Sequence, residues 1–112
     1  MRVSFDPAKR LVTLQERGID FATDAAKVLA GRVATVTDDR FDYGEIRFST
    51  AGWLNGRMVT VIWTWRGDAR HIISMRYCHA REIKKLIKKA LLVGLNVFFD
   101  HKLRRTFLPK VY

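Results

Sequence analysis

Residues able to move protons or to hold an anion cluster in the middle of the chain. Glu45 and Arg47 stand two positions apart, His71 follows Arg70, and Arg76 closes the same segment. Glutamate and histidine carry protons, and an imidazole with its unperturbed pKa of about 6.5 changes charge close to neutrality. A guanidinium stays charged, and its planar fork takes two oxygens of one phosphate. Together these types suit acid–base chemistry beside a phosphate ester. Each also has a plainer use. Glu45 set opposite Arg66 makes a cross-strand ion pair worth ~0.2–1 kcal/mol, and a lone surface histidine on a strand needs no catalytic duty. Cys78 is the single cysteine and forms no internal disulfide. With three scattered histidines it gives no four-ligand zinc pattern, so neither metal nor other cofactor is expected.

The strands that carry these residues set which of them meet. Glu45 to Leu54 alternates in polarity, and Asn55-Gly56 supplies the positive φ angles of a two-residue type I′ hairpin. Arg57 to Arg66 alternates again, Gly67-Asp68 is a second tight turn, and Arg70 to Arg76 is a third strand. The first turn sets Ile46 opposite Trp65, Phe48 opposite Trp63 and Thr50 opposite Val61. That face is expected to be core. The other face sets Glu45 opposite Arg66 and Arg47 opposite Thr64, and the second turn brings His71 opposite Thr64. A one-residue slip in the second turn would exchange His71 for Arg70. Strict alternation sends Arg76 to the face away from His71, so Arg76 joins the polar set only from the sheet edge or across a bulge.

Helices flank this meander. Val3-Ser4-Phe5 reads as a short edge strand. Asp6-Pro7 is an N-cap followed by proline at the first helical position, and the helix ends near Glu16, before Gly18. A second helix covers roughly Ala22 to Ala30. Val33 to Thr37 is β-branched and reads as a strand or an extended arm, with a polar loop over 38–42. The last helix begins near His79. Ile83, Leu86, Ile87, Ala90 and Leu91 form one apolar stripe, with Arg81, Lys84, Lys85, Lys88 and Lys89 on the opposite side. From Leu91 to Phe99 the period dissolves, so that run is either core or a surface for a partner. The expected class is α+β: two N-terminal helices packed on a small antiparallel meander sheet, followed by a basic C-terminal helix. At 112 residues the chain reads as one domain, with 90–112 an apolar and basic extension.

Charge narrows the function. Lys plus Arg is 21 and Asp plus Glu is 11, a net +10. Residues 79–112 contribute +7 of it, from nine basic and two acidic side chains. A field so concentrated favours a polyanion, or an acidic protein that screens it. An apolar fraction of 48% argues against disorder. The first ten residues hold no apolar signal segment, and the ten-residue run Ala90 to Phe99 is too short to span a bilayer. A cytoplasmic protein with no membrane association is expected.

The order β–α–α, then meander, then basic helix resembles the RelE/ParE-like toxins. Particular residues sharpen the likeness. Phe5-Asp6-Pro7-Ala8-Lys9, Gly18-Ile19-x-Phe21, Glu45-Ile46-Arg47-Phe48, the Gly56-Arg57 hairpin with its Val-rich return strand, and Arg70-His71-Ile72-Ile73-Ser74-Met75-Arg76 with Glu82 resemble the BrnT family. These are toxins of type II toxin–antitoxin modules, and the likeness covers about residues 3–89. The chain differs from the family pattern at Thr13, Arg17, His71 and Leu86, and it runs beyond the usual end.

The resemblance implies a metal-independent endoribonuclease that cuts mRNA, free or on the ribosome, and inhibits translation. It implies neutralisation by a BrnA-like ribbon-helix-helix antitoxin, with operator DNA bound only through that antitoxin. RNA cleavage of this kind needs a base for the 2′-OH, cations for the charge growing on phosphorus, and an acid for the leaving 5′-oxygen. Glu45, Arg47, His71 and Arg76 are the expected catalytic residues. Arg57, Arg70, Lys84, Lys85 and Lys88 are expected to contact RNA, and Leu91, Leu95, Phe98 and Phe99 the antitoxin. Trp63 and Trp65 are expected in the core, while Trp53, near the hairpin tip, is better placed to stack a base. Two alternatives stay open: a catalytically degenerate toxin homologue, and a nucleic-acid-binding regulator acting through its basic surface.

Overall fold

Short-range signals fix most elements. In the computed structural model, which describes residues 1–38, 42–92, 98–100 and 105–107, β1 (Val3–Phe5) leads into α1 (Pro7–Arg17) and α2 (Phe21–Ala30). Asp6 caps α1 by accepting from the Ala8 amide at 2.9 Å, and Gly18, in the left-handed region, closes it by donating to the Leu14 carbonyl. Asp20 caps α2 through the Ala22 amide and also receives Arg10 Nε at 2.7 Å and Nη2 at 3.0 Å, which ties the two helices together.

The sheet is larger than the meander expected from sequence. β2 (Arg32–Asp38), β3 (Arg47–Leu54), β4 (Arg57–Arg66) and β5 (Ala69–Tyr77) join β1 in the order β1-β5-β4-β3-β2. It is mixed, because β1 runs parallel to β5, pairing Ser4 with His71. Residues 33–37 are a full strand rather than an arm, antiparallel to β3. α3 (Ala80–Leu92) follows, and β6 (Phe98–Asp100) and β7 (Arg105–Phe107) form a hairpin whose backbone pairs with β2 at Arg32 and Val33. Residues 39–41, in the expected polar loop, lie outside the described residues, as does Leu95. The class is α+β.

The hairpin register agrees with the sequence reading. Phe48 pairs with Trp63, Thr50 with Val61 and Leu54 with Arg57, and Asn55 and Gly56 both hold positive φ, 51° and 78°. The core lies between α2 and the face that carries Val59, Val61, Trp63, Ile72 and Met75. Gly52 lets the helix come close: a Cβ there would stand 2.8 Å from the Val28 side chain and 3.3 Å from its carbonyl.

Two core expectations fail, at Ile46 and Trp65. Ile46 is 68% exposed and Trp65 49%, whereas Trp63 is 5%. Pairing between β3 and β4 stops at Phe48, so Ile46 has left the ladder. The ten-residue α2 spans only ~15 Å. It runs from Phe21, against Phe5, to Val28, over Gly52, and leaves the Trp65 end bare. Nor do both helices cover the sheet. α1 packs beside α2, buries only Thr13, and exposes Leu11, Val12 and Leu14.

Candidate active site

The polar face depends on a single irregularity in β5. Near the second turn the register is as expected, with Trp65 opposite Arg70, Thr64 opposite His71 and Trp63 opposite Ile72. Beyond it, Ile62 pairs with Ser74 and Thr60 with Arg76. Ile73 is therefore the extra residue of a β-bulge, which re-aims every later side chain. Arg76, which alternation would send to the core side, is turned onto the face of His71 and Arg47.

Two groups of residues share that face. A cavity of about 420 Å³ is lined by Arg47, Arg76, Tyr43, Ser74, Glu82 and Lys85, among others. Arg47 lies over the Tyr43 ring at 3.9 Å and donates through Nε to Glu45 at 3.2 Å. Tyr43 in turn donates to Asp38 at 3.3 Å. Arg76 is ion-paired with Glu82. Glu82 also accepts from the His79 amide at 3.3 Å while its own amide donates to the His79 carbonyl, so it caps α3 reciprocally. The Arg76 hydrogen bond is the main reason that its carboxyl titrates at about 2.

Outside the cavity, toward the second turn, stand Glu45, Arg66 and His71. Glu45 and Arg66 form the expected ion pair at 3.7 Å. His71 Nδ1 meets Ser4 Oγ at 2.9 Å, which leaves Nε2 as the nitrogen for exchange with a substrate. Burial first, and the Arg66 charge second, push the imidazole pKa below its ordinary value, against a smaller opposite effect of Glu45. Arg47, hydrogen-bonded to Glu45 and lining the cavity, links the two groups.

The other expected contacts are dispersed. Lys84, Lys85 and Lys88 are exposed on α3, and Lys85 reaches the cavity. Arg57 sits at the far hairpin, stacked on Tyr77 at 3.8 Å. Arg70 faces the helix side, over Trp63 and Trp65 at 4.9 and 5.2 Å. Trp53 is exposed at the hairpin, as expected. Leu91 lies in α3 and Phe98 and Phe99 in β6, but their side chains, like Leu95, fall outside what is described.

Sequence reasoning missed Tyr43, Asp38 and Ser4. Tyr43 stands four residues before Arg47, and an aromatic that close to a strand guanidinium is a usable signal. Ser4 had none, because its place beside His71 needs the parallel pairing of β1. Arg17 donates to the Met75 carbonyl at 2.7 Å.

Comparison with known families gives one match. The family model described as "Ribonuclease toxin, BrnT, of type II toxin-antitoxin system" matches residues 5–82. That span holds Glu45, Arg47, His71 and Arg76 and most of the sheet. No curated protein matches the chain.

Proposed function

Because the chain belongs to the BrnT family of ribonuclease toxins of type II toxin–antitoxin systems, we propose that it is a metal-independent endoribonuclease of RelE/ParE-like architecture whose active site is the polar sheet face. The observation that carries this reading is the bulge at Ile73, which sets Arg76 on the side of Arg47 and His71. Arg47 and Arg76 clamp the phosphate and stabilise the charge that grows on it. His71, held toward its neutral form, accepts the 2′-OH proton through Nε2. The proton taken up by His71 passes on to the leaving 5′-oxygen, with Glu45 as the second proton carrier, and Glu45 also orients Arg47. Ser74, Tyr43 and Lys85 line the space beside the clamp.

The partners follow from the same reading. RNA is the substrate, and its cleavage in the cytoplasm stops translation. A BrnA-like ribbon-helix-helix antitoxin covers the basic α3 and the tail, meeting Leu91, Leu95, Phe98 and Phe99, and carries the complex to operator DNA. The test is cleavage of a single-stranded RNA by the purified chain in excess chelator. The expected products end in 2′,3′-cyclic phosphate, the mark of attack by the neighbouring 2′-OH. Cleavage lost to chelator and restored by a divalent cation would refute the mechanism. Binding without cleavage would favour the degenerate or regulatory alternatives.

A further inference from the structure

The bare end of the helix-side sheet face carries an aromatic surface that the catalytic scheme does not use. Trp65 is half-exposed there, edge-on to Trp63 at 5.2 Å and 87°. Trp63 is held from below, stacked on Phe48 at 4.7 Å and donating from Nε1 to Thr50 Oγ1 at 2.8 Å. The Arg70 guanidinium lies beside both indoles. Trp65 is therefore a braced ring with one cation against it and open solvent on the other side. Among the described residues, the laddered positions around Trp65 on this face are Val3, Phe48, Trp63 and Arg70, and the nearby turn carboxylate, Asp68, is ion-paired with Arg2.

Resting on the reading of RNA as substrate, we propose that Trp65 and Arg70 form a platform for an unpaired RNA base flanking the cut phosphate: Trp65 stacks the base and Arg70 holds the adjoining phosphate. The position on the strands supports it. Trp65 lies between Thr64 and Arg66, whose side chains face the other way, beside His71 and Glu45. The platform and the proton carriers thus stand back to back, on the two faces of the sheet at one end of the same strands. Pairing of β3 with β4 ends at Phe48, so the proposed path of the RNA from one face to the other runs round this end, past Glu45 and Ile46, whose carbonyl accepts from Thr64. Every base offers a π-face, so stacking selects an unpaired nucleotide rather than a particular sequence. Among the described residues Arg70 has no carboxylate partner, and such a cation suits a nucleic acid better than an acidic-and-basic protein surface.

The test uses 2′-O-methyl oligonucleotides, which lack the attacking hydroxyl and cannot be cut by this route. Binding is measured for the full chain, W65A and W65F, on a single strand, a duplex, and single strands carrying one abasic site at each position in turn. The proposal expects W65A to weaken single-strand binding about tenfold or more, to leave duplex binding unchanged, and to remain folded at the assay temperature. W65F should recover most of the loss. The parent should lose affinity at one abasic position, and W65A should be insensitive there. That scan needs no variant to show whether one base is stacked. Equal losses on single strand and duplex, or no position of abasic sensitivity in the parent, would overturn the proposal. Unchanged RNA affinity in W65A with lost binding of the cognate antitoxin would assign the platform to that protein instead. A parent chain that binds no RNA at all overturns the functional reading as well, whereas a binding parent with an unchanged W65A overturns only the platform.

Discussion

A histidine stripped of part of its hydration and set near Arg66 favours its neutral form. Used as a base, it is competent once pH exceeds its lowered pKa. The acid limb of kcat/KM is therefore expected to fall at a pH below that of a free imidazole, and a pH–rate profile reads this directly. R66A removes one of the two main causes, so the limb should move up in pH. An acid limb that ignores R66A would count against His71 as the base. The S4A variant frees Nδ1 and should lower kcat with little change in KM. Guanidinium loss is expected to cost more. Removing Arg47 or Arg76 alone should weaken transition-state stabilisation by ~2–4 kcal/mol, in the range of a lost oxyanion donor. Cys78 lines the cavity, but burial raises its pKa and its thiol meets Thr60 at 2.8 Å, so its alkylation at neutral pH should be slow.

The β5 bulge is the element on which the site depends, and it was the least legible from sequence. Asn55-Gly56 declared its own turn type, so the β3–β4 register followed residue by residue. Ile73 carries no such signature, because a β-branched residue fits a regular strand as well as a bulge. Alternation also told which face Trp65 occupies but not how far a ten-residue helix would extend over that face. β1 was legible as an edge strand, but its parallel pairing with β5 was not, for a related reason: it is a long-range contact with no local code. Packing of α2 yields a direct prediction. G52A places a methyl 2.8 Å from Val28, so overpacking should lower stability by ~1–3 kcal/mol in a denaturant titration. The α1–α2 junction predicts an acid response. Arg10, first, and the Ala22 amide hold Asp20 at about 2 rather than 3.8. That contribution is complete above the unfolded value and is lost as pH falls through the folded one. D20N should therefore flatten the loss of stability between about pH 4 and 2, as followed by melting temperature.

For the whole molecule, the field of +10 is mostly the property of the last third of the chain. RNA affinity should fall with salt, with a logarithmic slope of about −0.7 for each phosphate neutralised on a single strand. A triple alanine variant at Lys84, Lys85 and Lys88 should lower affinity and flatten that slope, with folding unchanged. Truncation after Lys89 tests the tail: retained fold with lost antitoxin binding fits the docking proposed here, and unchanged affinity contradicts it. The most direct measurement of the central claim is inducible expression of the double variant R47A/R76A, following growth and RNA integrity, with its fold checked in the purified protein. The account predicts a stable protein that neither arrests growth nor fragments RNA while the parent chain does both. Full toxicity from the folded double variant would contradict a catalytic role for the polar sheet face.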